Sequence, residues 1–247
     1  MSGFKDHFST QSEAYARIRP DYPGALYDWL CRVCGRRRRA WDCATGNGQA
    51  AVRLARRFDE VIATDASAAQ IAAARPHPGV RYRVATAEES GLDDASVDLV
   101  AVAQALHWFD HERFNAEVRR VTRPGGVVAA WTYQLERVSP DIDALIDRYF
   151  GDIVGPYWPV ERRHVEAGYR DIPFPFGGLE PPSLELTRRW SLADQLAYFR
   201  TWSATERYRA DRGEDPVARI AGALERAWGP GTRLVRWPLV VLAGRVV

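Results

Sequence analysis

The stretch WDCATGNGQAA, residues 41–51, decides the fold, because it joins a short strand to a helix through a glycine-containing turn. Residues 40–44 have the composition of a buried strand. From Gln49 onward, apolar side chains recur at helical spacing, at Ala51, Leu54, Ala55 and Phe58. Glycine lets the main chain approach a ligand closely, and the first turn of a helix offers unpaired N–H groups. The stretch therefore predicts a ligand-binding strand–turn–helix unit.

Strands and helices alternate on both sides of this turn. The pattern predicts helices over 22–33 and 49–58, a third that Ser67 and Gln70 begin with capping-box spacing, and a fourth capped by Asp110. The predicted strands are 40–44, 60–64, 80–84, 97–102 and 127–131, the last beginning after Pro124-Gly125-Gly126 ends the fourth helix. Such alternation is typical of βαβ units, which form a parallel sheet with helices on both faces.

The alternation is lost beyond residue 132. Residues 133–182 contain one predicted helix, 142–150, followed by segments rich in aromatic residues and proline. A strand over 184–190, helices over 192–202 and 217–228, and a last strand over 234–242 follow. We expect the aromatic side chains of 133–202 mostly to pack, and also to supply an apolar pocket.

The length and composition are those of an ordinary globular protein. The 247 residues are 46% hydrophobic and 27% charged, and the net charge is only +2, which gives no electrostatic reason to expect nucleic acid or a membrane as partner. The basic run Arg36–Arg39 is interpreted as a solvated connector rather than a phosphate-binding patch. We expect a cytoplasmic protein, since the first residues lack a signal-like apolar segment and no stretch approaches membrane-spanning length.

Cys31, Cys34 and Cys43 are the three cysteines. The spacing Cys31-x-x-Cys34 is found in metal knuckles and redox pairs, but no second Cys or His pair accompanies it. Packed free thiols are the favoured interpretation, and they suit the reducing cytosol.

The charge near the turn distinguishes between two nucleotide ligands. Gly46-x-Gly48-x-x-Ala51 also fits the dinucleotide fingerprint. Asp42, at the strand exit, would repel a pyrophosphate, whereas it would favour the ammonium and sulfonium cations of S-adenosylmethionine. Asp65, at the end of the second strand, is placed to accept hydrogen bonds from ribose hydroxyls, with capping of the next helix as the alternative. We predict S-adenosylmethionine rather than NAD.

Residues 40–131 resemble the core of the class I S-adenosylmethionine-dependent methyltransferases, in the branch known as type 11. The resemblance is carried by Asp42 to Gly48, Asp65, Ala87-Glu88, the stretch from Ser96 to Gln104, and Pro124-Gly125-Gly126. The segments FSTQSEAYARIRPDYP, QALHWF and TWSATERYRA are similar to the trans-aconitate methyltransferase-like subgroup, which acts on small molecules.

The resemblance implies a doubly wound α/β fold. Its sheet would have seven mostly parallel strands with an antiparallel last strand, together with a helical N-terminal lid and an inserted cap. The implied organisation is a lid and first helix over 1–35, the donor-binding core over 36–132, the cap over 133–182, and a C-terminal part, 183–247, that completes the core.

The resemblance also implies residue roles. Asp42, Gly46 and Gly48 would surround the methionine part of the donor, and Asp65 would hold the ribose. The carbonyl of Gln104 would bind the methionine ammonium, while Ala87 and Glu88 would lie beside adenine. Trp108 would line the pocket near the sulfonium or belong to the core. The remaining expected cofactor contacts are Ala44, Gln49 and Ala66, with Tyr15 and Arg19 closing over the donor from the lid.

Two positions depart from the family pattern. Ala44 stands where the first glycine of the turn is usual, which tightens the turn. Thr86 replaces a frequent aspartate near the adenine amino group.

His107 is the candidate catalytic residue, as a pocket-lining group or general base, with a purely structural role as the alternative. His107 and His111 have i, i+4 spacing, but no third ligand stands at a recognisable distance, so no metal site is predicted.

The predicted function is methylation of a small-molecule acceptor, with a carboxylate or hydroxyl oxygen favoured. The alternatives are an NAD-binding oxidoreductase and a non-catalytic module that retains the donor site. No nucleic-acid partner is predicted, because the Asn/Asp-Pro-Pro-aromatic motif of base amino-group methylation is absent after the fourth strand. No membrane partner is predicted, because no apolar stretch approaches membrane-spanning length. The expected oligomeric state is a monomer or homodimer.

Overall fold

A twisted, mostly parallel sheet organises the computed structural model, which describes residues 20–247. Its strands are β1 Arg39–Cys43, β2 Glu60–Asp65, β3 Val80–Val84, β4 Val97–Ala103, β5 Thr122–Tyr133, β6 Gly177–Gly178, β7 Leu184–Trp190 and β8 Arg233–Arg245. The order is β3-β2-β1-β4-β5-β8, and β6 and β7 both pair with the outer side of β8. The sheet is therefore seven positions wide, and β8 runs antiparallel to its neighbours, which confirms the predicted fold class.

Helices and short turns connect the strands. The described helices are α1 Gly24–Cys34, α2 Gln49–Leu54, α3 Ala68–Ala72, α4 His111–Val121, α5 Pro140–Arg148, α6 Arg162–Glu166, α7 Leu192–Arg200, α8 Ser203–Arg212 and α9 Ala218–Trp228. Single turns of tighter or wider helix cover Leu106–Trp108, Tyr149–Ile153 and Gly155–Tyr157.

Two apolar layers cover the faces of the sheet. One layer joins α1 and α2 to the C-terminal helices around Leu30, Trp131 and Trp237. The other joins α4 to the opposite face around Trp41 and Phe114. Because each face is covered, the central parallel strands β1, β2 and β4 are buried on both sides, whereas the edge strand β3 is mostly exposed.

Local sequence signals were accurate where a single cap or strand determines the structure. β3 and β7 have the predicted bounds. Asp110 caps α4 by accepting a hydrogen bond from the N–H of Arg113 at 3.2 Å, and Ser67 caps α3 through the N–H of Gln70 at 3.3 Å.

The prediction for Pro124-Gly125-Gly126 was wrong. These residues lie inside β5, which begins at Thr122, and the pairing with β4 shifts register between Val97 and Leu99. The irregularity explains the glycines. Gly125 has a φ of 78°, and a Cβ on Gly126 would come within 2.5 Å of the Thr122 side chain.

Helix α8 was not predicted from the sequence. Its buried residues are Ala204, Thr205 and Tyr208, so the buried face lacks the large apolar side chains whose spacing predicts a helix.

Asp98 anchors the amino-terminal end of the sheet. Its side chain is 3% exposed and accepts hydrogen bonds from the main-chain N–H groups of Arg38 at 2.8 Å and Arg39 at 3.0 Å. Arg123 pairs with the same carboxylate at 3.0 Å. Hydrogen bonds to Asp98 thus fix the run Arg36–Arg39 at the amino ends of the strands. The predicted donor residues lie at the opposite, carboxyl ends, which supports the interpretation of the run as a connector.

None of the helices within residues 20–247 is both long enough and apolar enough to cross a bilayer.

We expect Asp98→Ala to lower the free energy of unfolding by about 2–4 kcal/mol, because it leaves the N–H groups of Arg38 and Arg39 and the guanidinium of Arg123 without the buried carboxylate that binds them. Urea denaturation measures the change. Asp94→Ala is the matched control, since Asp94 is 79% exposed and its pair with Arg120 is expected to contribute about 0–1 kcal/mol. Equal losses in the two variants would contradict the anchoring role.

Candidate functional site

The turn between β1 and α2 is built from left-handed backbone. Ala44, Gly46 and Gly48 have φ values of 54°, 55° and 83°. A Cβ on Gly48 would come within 2.2 Å of the Tyr82 hydroxyl of β3, so a side chain there would displace the tyrosine ring, and the left-handed conformation itself favours glycine. Ala44 adopts the same region without that freedom, at a cost of about 1 kcal/mol.

Asp42 is a fully buried carboxylate beneath this turn. Its Oδ2 accepts a hydrogen bond from the Thr45 hydroxyl at 2.5 Å, and its Oδ1 has no partner at bonding distance among the described residues. Burial, and to a smaller extent the charge of Asp65, raise its pKa to about 7 against the opposing effects of the Thr45 hydroxyl and the Ala51 N–H. A cation placed beside Asp42 would therefore be stabilised.

Asp65 ends β2 and holds the turn in place. Its Oδ2 accepts from the N–H of Gly46 at 2.8 Å and its Oδ1 from the N–H of Ser67 at 2.9 Å. Parallel pairing of Cys43 with Thr64 brings the two strand ends side by side. Ser67, not Asp65, is the side-chain cap of α3, so the helix-capping alternative for Asp65 does not describe its main contacts.

The residues predicted to lie near adenine surround the end of β3. Ala87 is buried, and Glu88 Oε1 accepts from the N–H of Asp110 at 3.0 Å, which ties the loop to the start of α4. Ala66 is partly exposed and Thr86 is exposed.

Gln49 points elsewhere. Its Nε2 donates to Asp21 Oδ1 at 2.8 Å and to the Pro20 carbonyl at 3.3 Å, so this side chain binds the N-terminal segment rather than the turn.

Gln104 follows β4 with a φ of 60°. Its N–H donates to the Trp131 carbonyl at 2.9 Å, and its Oε1 accepts from the Thr132 hydroxyl at 3.0 Å. Its Nε2 is buried with no hydrogen-bond partner among the described residues. A left-handed non-glycine residue with an unsatisfied amide is a feature of functional sites.

His107 and Trp108 lie in the turn after β4, with ring centroids 4.7 Å apart. Nδ1 of His107 is 3.1 Å from the hydroxyl of Tyr169. Burial, together with the charges of Arg162, His164 and His111, lowers the pKa of His107 to about 3, so the imidazole is neutral.

Arg162 begins α6, which packs against the turn that carries His107. Its guanidinium lies over the rings of Trp158 and Phe150, 4.7 Å and 5.4 Å from their centroids. Sequence reasoning named neither Arg162 nor Tyr169. Both come from the irregular segment, where the only signal was a richness in aromatic residues.

The structure brings the described candidate residues to the carboxyl ends of β1, β2, β3 and β4, the edge at which parallel sheets bind ligands. Tyr15 and Arg19 lie outside the described residues. Within 20–247, no group of three His, Cys, Asp or Glu side chains could hold a metal ion. His111 instead contacts the Leu106 carbonyl at 3.0 Å, and His164 contacts Asp171 at 2.9 Å.

The charge of the turn fits S-adenosylmethionine. Asp42 and Asp65 place two carboxylates beside backbone that a ligand could approach closely, and the Asp42 Oδ1 atom is left unsatisfied. A pyrophosphate would meet repulsion there, whereas an ammonium or sulfonium would be attracted.

Known proteins resemble the chain over this core and beyond it. A family described as a methyltransferase domain matches residues 41–130. A candidate methyltransferase of Dictyostelium discoideum is 33% identical over 229 residues, which cover 91% of this chain and 87% of the relative. A candidate S-adenosylmethionine-dependent methyltransferase of Saccharomyces cerevisiae is 28% identical over 173 residues, covering 64% of this chain and 59% of the relative.

A solved structure extends the similarity to three dimensions. A candidate type II methyltransferase from Anaeromyxobacter dehalogenans is 50% identical and superposes with a TM-score of 0.88. The alignment covers 93% of this chain and 98% of that one. The prediction of a methyl donor rather than a dinucleotide is thereby confirmed. The chain belongs to the class I S-adenosylmethionine-dependent methyltransferases.

Proposed function

We propose that this methyltransferase acts on a carboxylate or hydroxyl oxygen of a small-molecule acceptor, as a member of the trans-aconitate methyltransferase-like subgroup, and that a carboxylate is the preferred acceptor. The observation that carries the proposal is the position of Arg162, whose α6 helix packs against the turn of a neutral His107. The acceptor would lie between the core, 36–132, and a cap formed by 133–182, with the segment 1–35 as lid and 183–247 completing the core.

The donor would lie along the carboxyl edge of the sheet. Asp42, Gly46 and Gly48 would surround its methionine part, and the carbonyl of Gln104 would bind the ammonium. Asp65 would accept from the ribose hydroxyls. The other proposed donor contacts are Ala44, Ala66, Ala87, Glu88 and Trp108. For Gln49 only main-chain contact is proposed, because its side chain is bound to Asp21.

Charge in the acceptor region favours an anion. The charge of Arg162 acts on three groups of this region, since it lowers the pKa of His107, Tyr169 and Glu136. His107 is neutral. Glu136 is fully buried and accepts a hydrogen bond from Gln195 at 2.8 Å, and burial raises its pKa to about 7, so near neutral pH it is only partly ionised. A carboxylate would therefore be attracted by Arg162 and by the sulfonium.

The chemistry places few demands on the protein's side chains. The donor supplies an activated methyl group, and transfer requires its sulfur, the methyl carbon and the acceptor oxygen to lie in line. Holding the two reactants in that geometry can contribute about 7–11 kcal/mol of the barrier reduction. A carboxylate needs no deprotonation. His107, with a pKa of about 3, would be a weak base for a hydroxyl acceptor near neutral pH.

We expect the wild type to bind S-adenosylhomocysteine with a micromolar or lower Kd, and Asp65→Ala to weaken that binding about tenfold or more, through loss of charge-assisted hydrogen bonds. Isothermal calorimetry measures both. The control is Asp59→Ala, an exposed carboxylate before β2. Absence of binding by the wild type would contradict the donor site.

Binding of S-adenosylmethionine is expected to weaken as the pH falls from 7 to 5. Asp42 has a pKa of about 7 in the free protein, and a cationic donor favours its ionised form, so below pH 7 binding must release a proton. Affinity then falls by up to about tenfold per pH unit. Asp42→Asn should bind weakly and lose this slope. A wild-type Kd that stays constant over the range, or equal slopes in the two proteins, would contradict the role of Asp42.

Arg162→Gln tests the acceptor proposal. The substrates are cinnamate, phenylacetate and hexanoate, each paired with its primary amide. We expect the wild type to methylate one or more acids in preference to the amides. We expect the variant to lose about 10- to 100-fold in kcat/KM for those acids, the scale of one charge-assisted hydrogen bond. Arg163→Gln, an exposed neighbour on α6, is the control. Equal use of acids and amides, or no effect in Arg162→Gln, would contradict the preference for an anion.

A further inference from the structure

Tyr169 is held in an unfavourable backbone conformation at the end of the α6 segment. Its φ is 60° and that of Gly168 is 61°, so two successive residues are left-handed. The N–H of Tyr169 donates to the His164 carbonyl at 2.8 Å, and the side chain is fully buried. An aromatic residue in this region costs about 1 kcal/mol or more and persists only where the surroundings fix it.

The buried phenol reaches the turn after β4. Its hydroxyl is 3.1 Å from Nδ1 of His107, and the two rings lie 6.0 Å apart at 31°. The Thr132 side chain and the main chain of Leu106 also lie near this hydroxyl, and their hydrogen-bonding groups lower its pKa against the larger effect of burial. Tyr169 therefore connects the inserted segment to the ends of β4 and β5.

The protonation states of Tyr169 and His107 indicate which of the two donates in their hydrogen bond. Burial raises the pKa of Tyr169, so the phenol keeps its proton near neutral pH. A neutral imidazole has one nitrogen that accepts and one that donates. The Thr132 hydroxyl donates its single proton to Gln104 Oε1, so it has no proton to donate to the phenol oxygen. Among the described residues, the partner with good hydrogen-bond geometry for the phenol is Nδ1 of His107.

We propose that Tyr169 is a positioning residue, whose hydroxyl donates to Nδ1 of His107 and thereby fixes the tautomer with the proton on Nε2. His107 then presents an N–H donor, not a lone pair, on its second nitrogen. The described residues give Nε2 no hydrogen-bond partner, and the His107 side chain remains partly exposed beside Trp108.

This inference rests on the proposed function and assigns His107 a different part from that of a base. An Nε2–H donor would bind the carboxylate oxygen that is not methylated, which orients the other oxygen toward the methyl carbon. During transfer the carbon–sulfur bond breaks as the carbon–oxygen bond forms. The sulfur keeps the electron pair of the broken bond, and the proton stays on Nε2 throughout.

The tautomer is measurable in the wild-type chain without any assay of transfer. Long-range ¹H–¹⁵N correlation spectra of ¹⁵N-histidine-labelled protein distinguish protonated from unprotonated ring nitrogens, and His107→Gln identifies the His107 signals. We expect one tautomer, protonated on Nε2, at pH 6–8. A spectrum with the proton on Nδ1, or an averaged mixture of tautomers, would overturn the proposal.

Tyr169→Phe tests the consequence, with Tyr149→Phe as the matched control. Tyr149 is equally buried, and its hydroxyl contacts Thr205 at 2.8 Å, so its variant also loses one buried hydrogen bond. We expect Tyr169→Phe alone to give a mixture of His107 tautomers. It should also lower kcat about tenfold on a carboxylate acceptor while the Kd for S-adenosylhomocysteine is unchanged.

The outcomes separate two failures. Unchanged kcat and tautomer in Tyr169→Phe, or the same changes in Tyr149→Phe, would overturn the positioning role. Wild-type protein that binds donor and shows the Nε2 tautomer, yet methylates none of the acids, alcohols, phenols or amides tried, would overturn the proposed function instead.

Discussion

The hydrogen bond from the Gly46 N–H to the Asp65 carboxylate joins the turn after β1 to the end of β2, and the geometry of the proposed donor site depends on it. The bond exists because parallel pairing sets the two strand ends side by side. β1 also pairs with β4, so the sheet delivers the segment of Gln104 and His107 to the same edge. The register of β1 with β2 and β4 thus sets both the hydrogen bond between Gly46 and Asp65 and the position of the segment after β4.

Two buried aspartates mark the opposite ends of this sheet and behave differently. Asp98 is satisfied by main-chain N–H groups and by Arg123, which is the environment of a structural carboxylate. Asp42 has one hydroxyl partner and an oxygen with none at bonding distance among the described residues. Burial of a charged group without full compensation is costly, so the second arrangement is reasonable where a cationic ligand completes it.

Local signals predicted the parts of the fold that a few adjacent residues determine. Asp110 caps its helix as expected, and β3 has the predicted bounds, because capping and alternation are short-range effects. The register shift in β5 depends on the close approach of Gly126 to Thr122, which sequence spacing does not reveal. Tyr169 and Arg162 meet the turn of His107 only through tertiary packing of an irregular segment, so no periodicity pointed to them.

The crowding of Gly48 by the Tyr82 ring affects how the glycine fingerprint is interpreted in related sequences. A descendant that lost its nucleoside ligand would still favour this glycine, because its φ of 83° is left-handed and a side chain there would displace the tyrosine ring. The persistence of the fingerprint is therefore weak evidence of retained catalysis. A buried carboxylate at the position of Asp42 has no comparable packing obligation, and its replacement by an apolar residue would be the earlier sign that a lineage had given up methyl transfer.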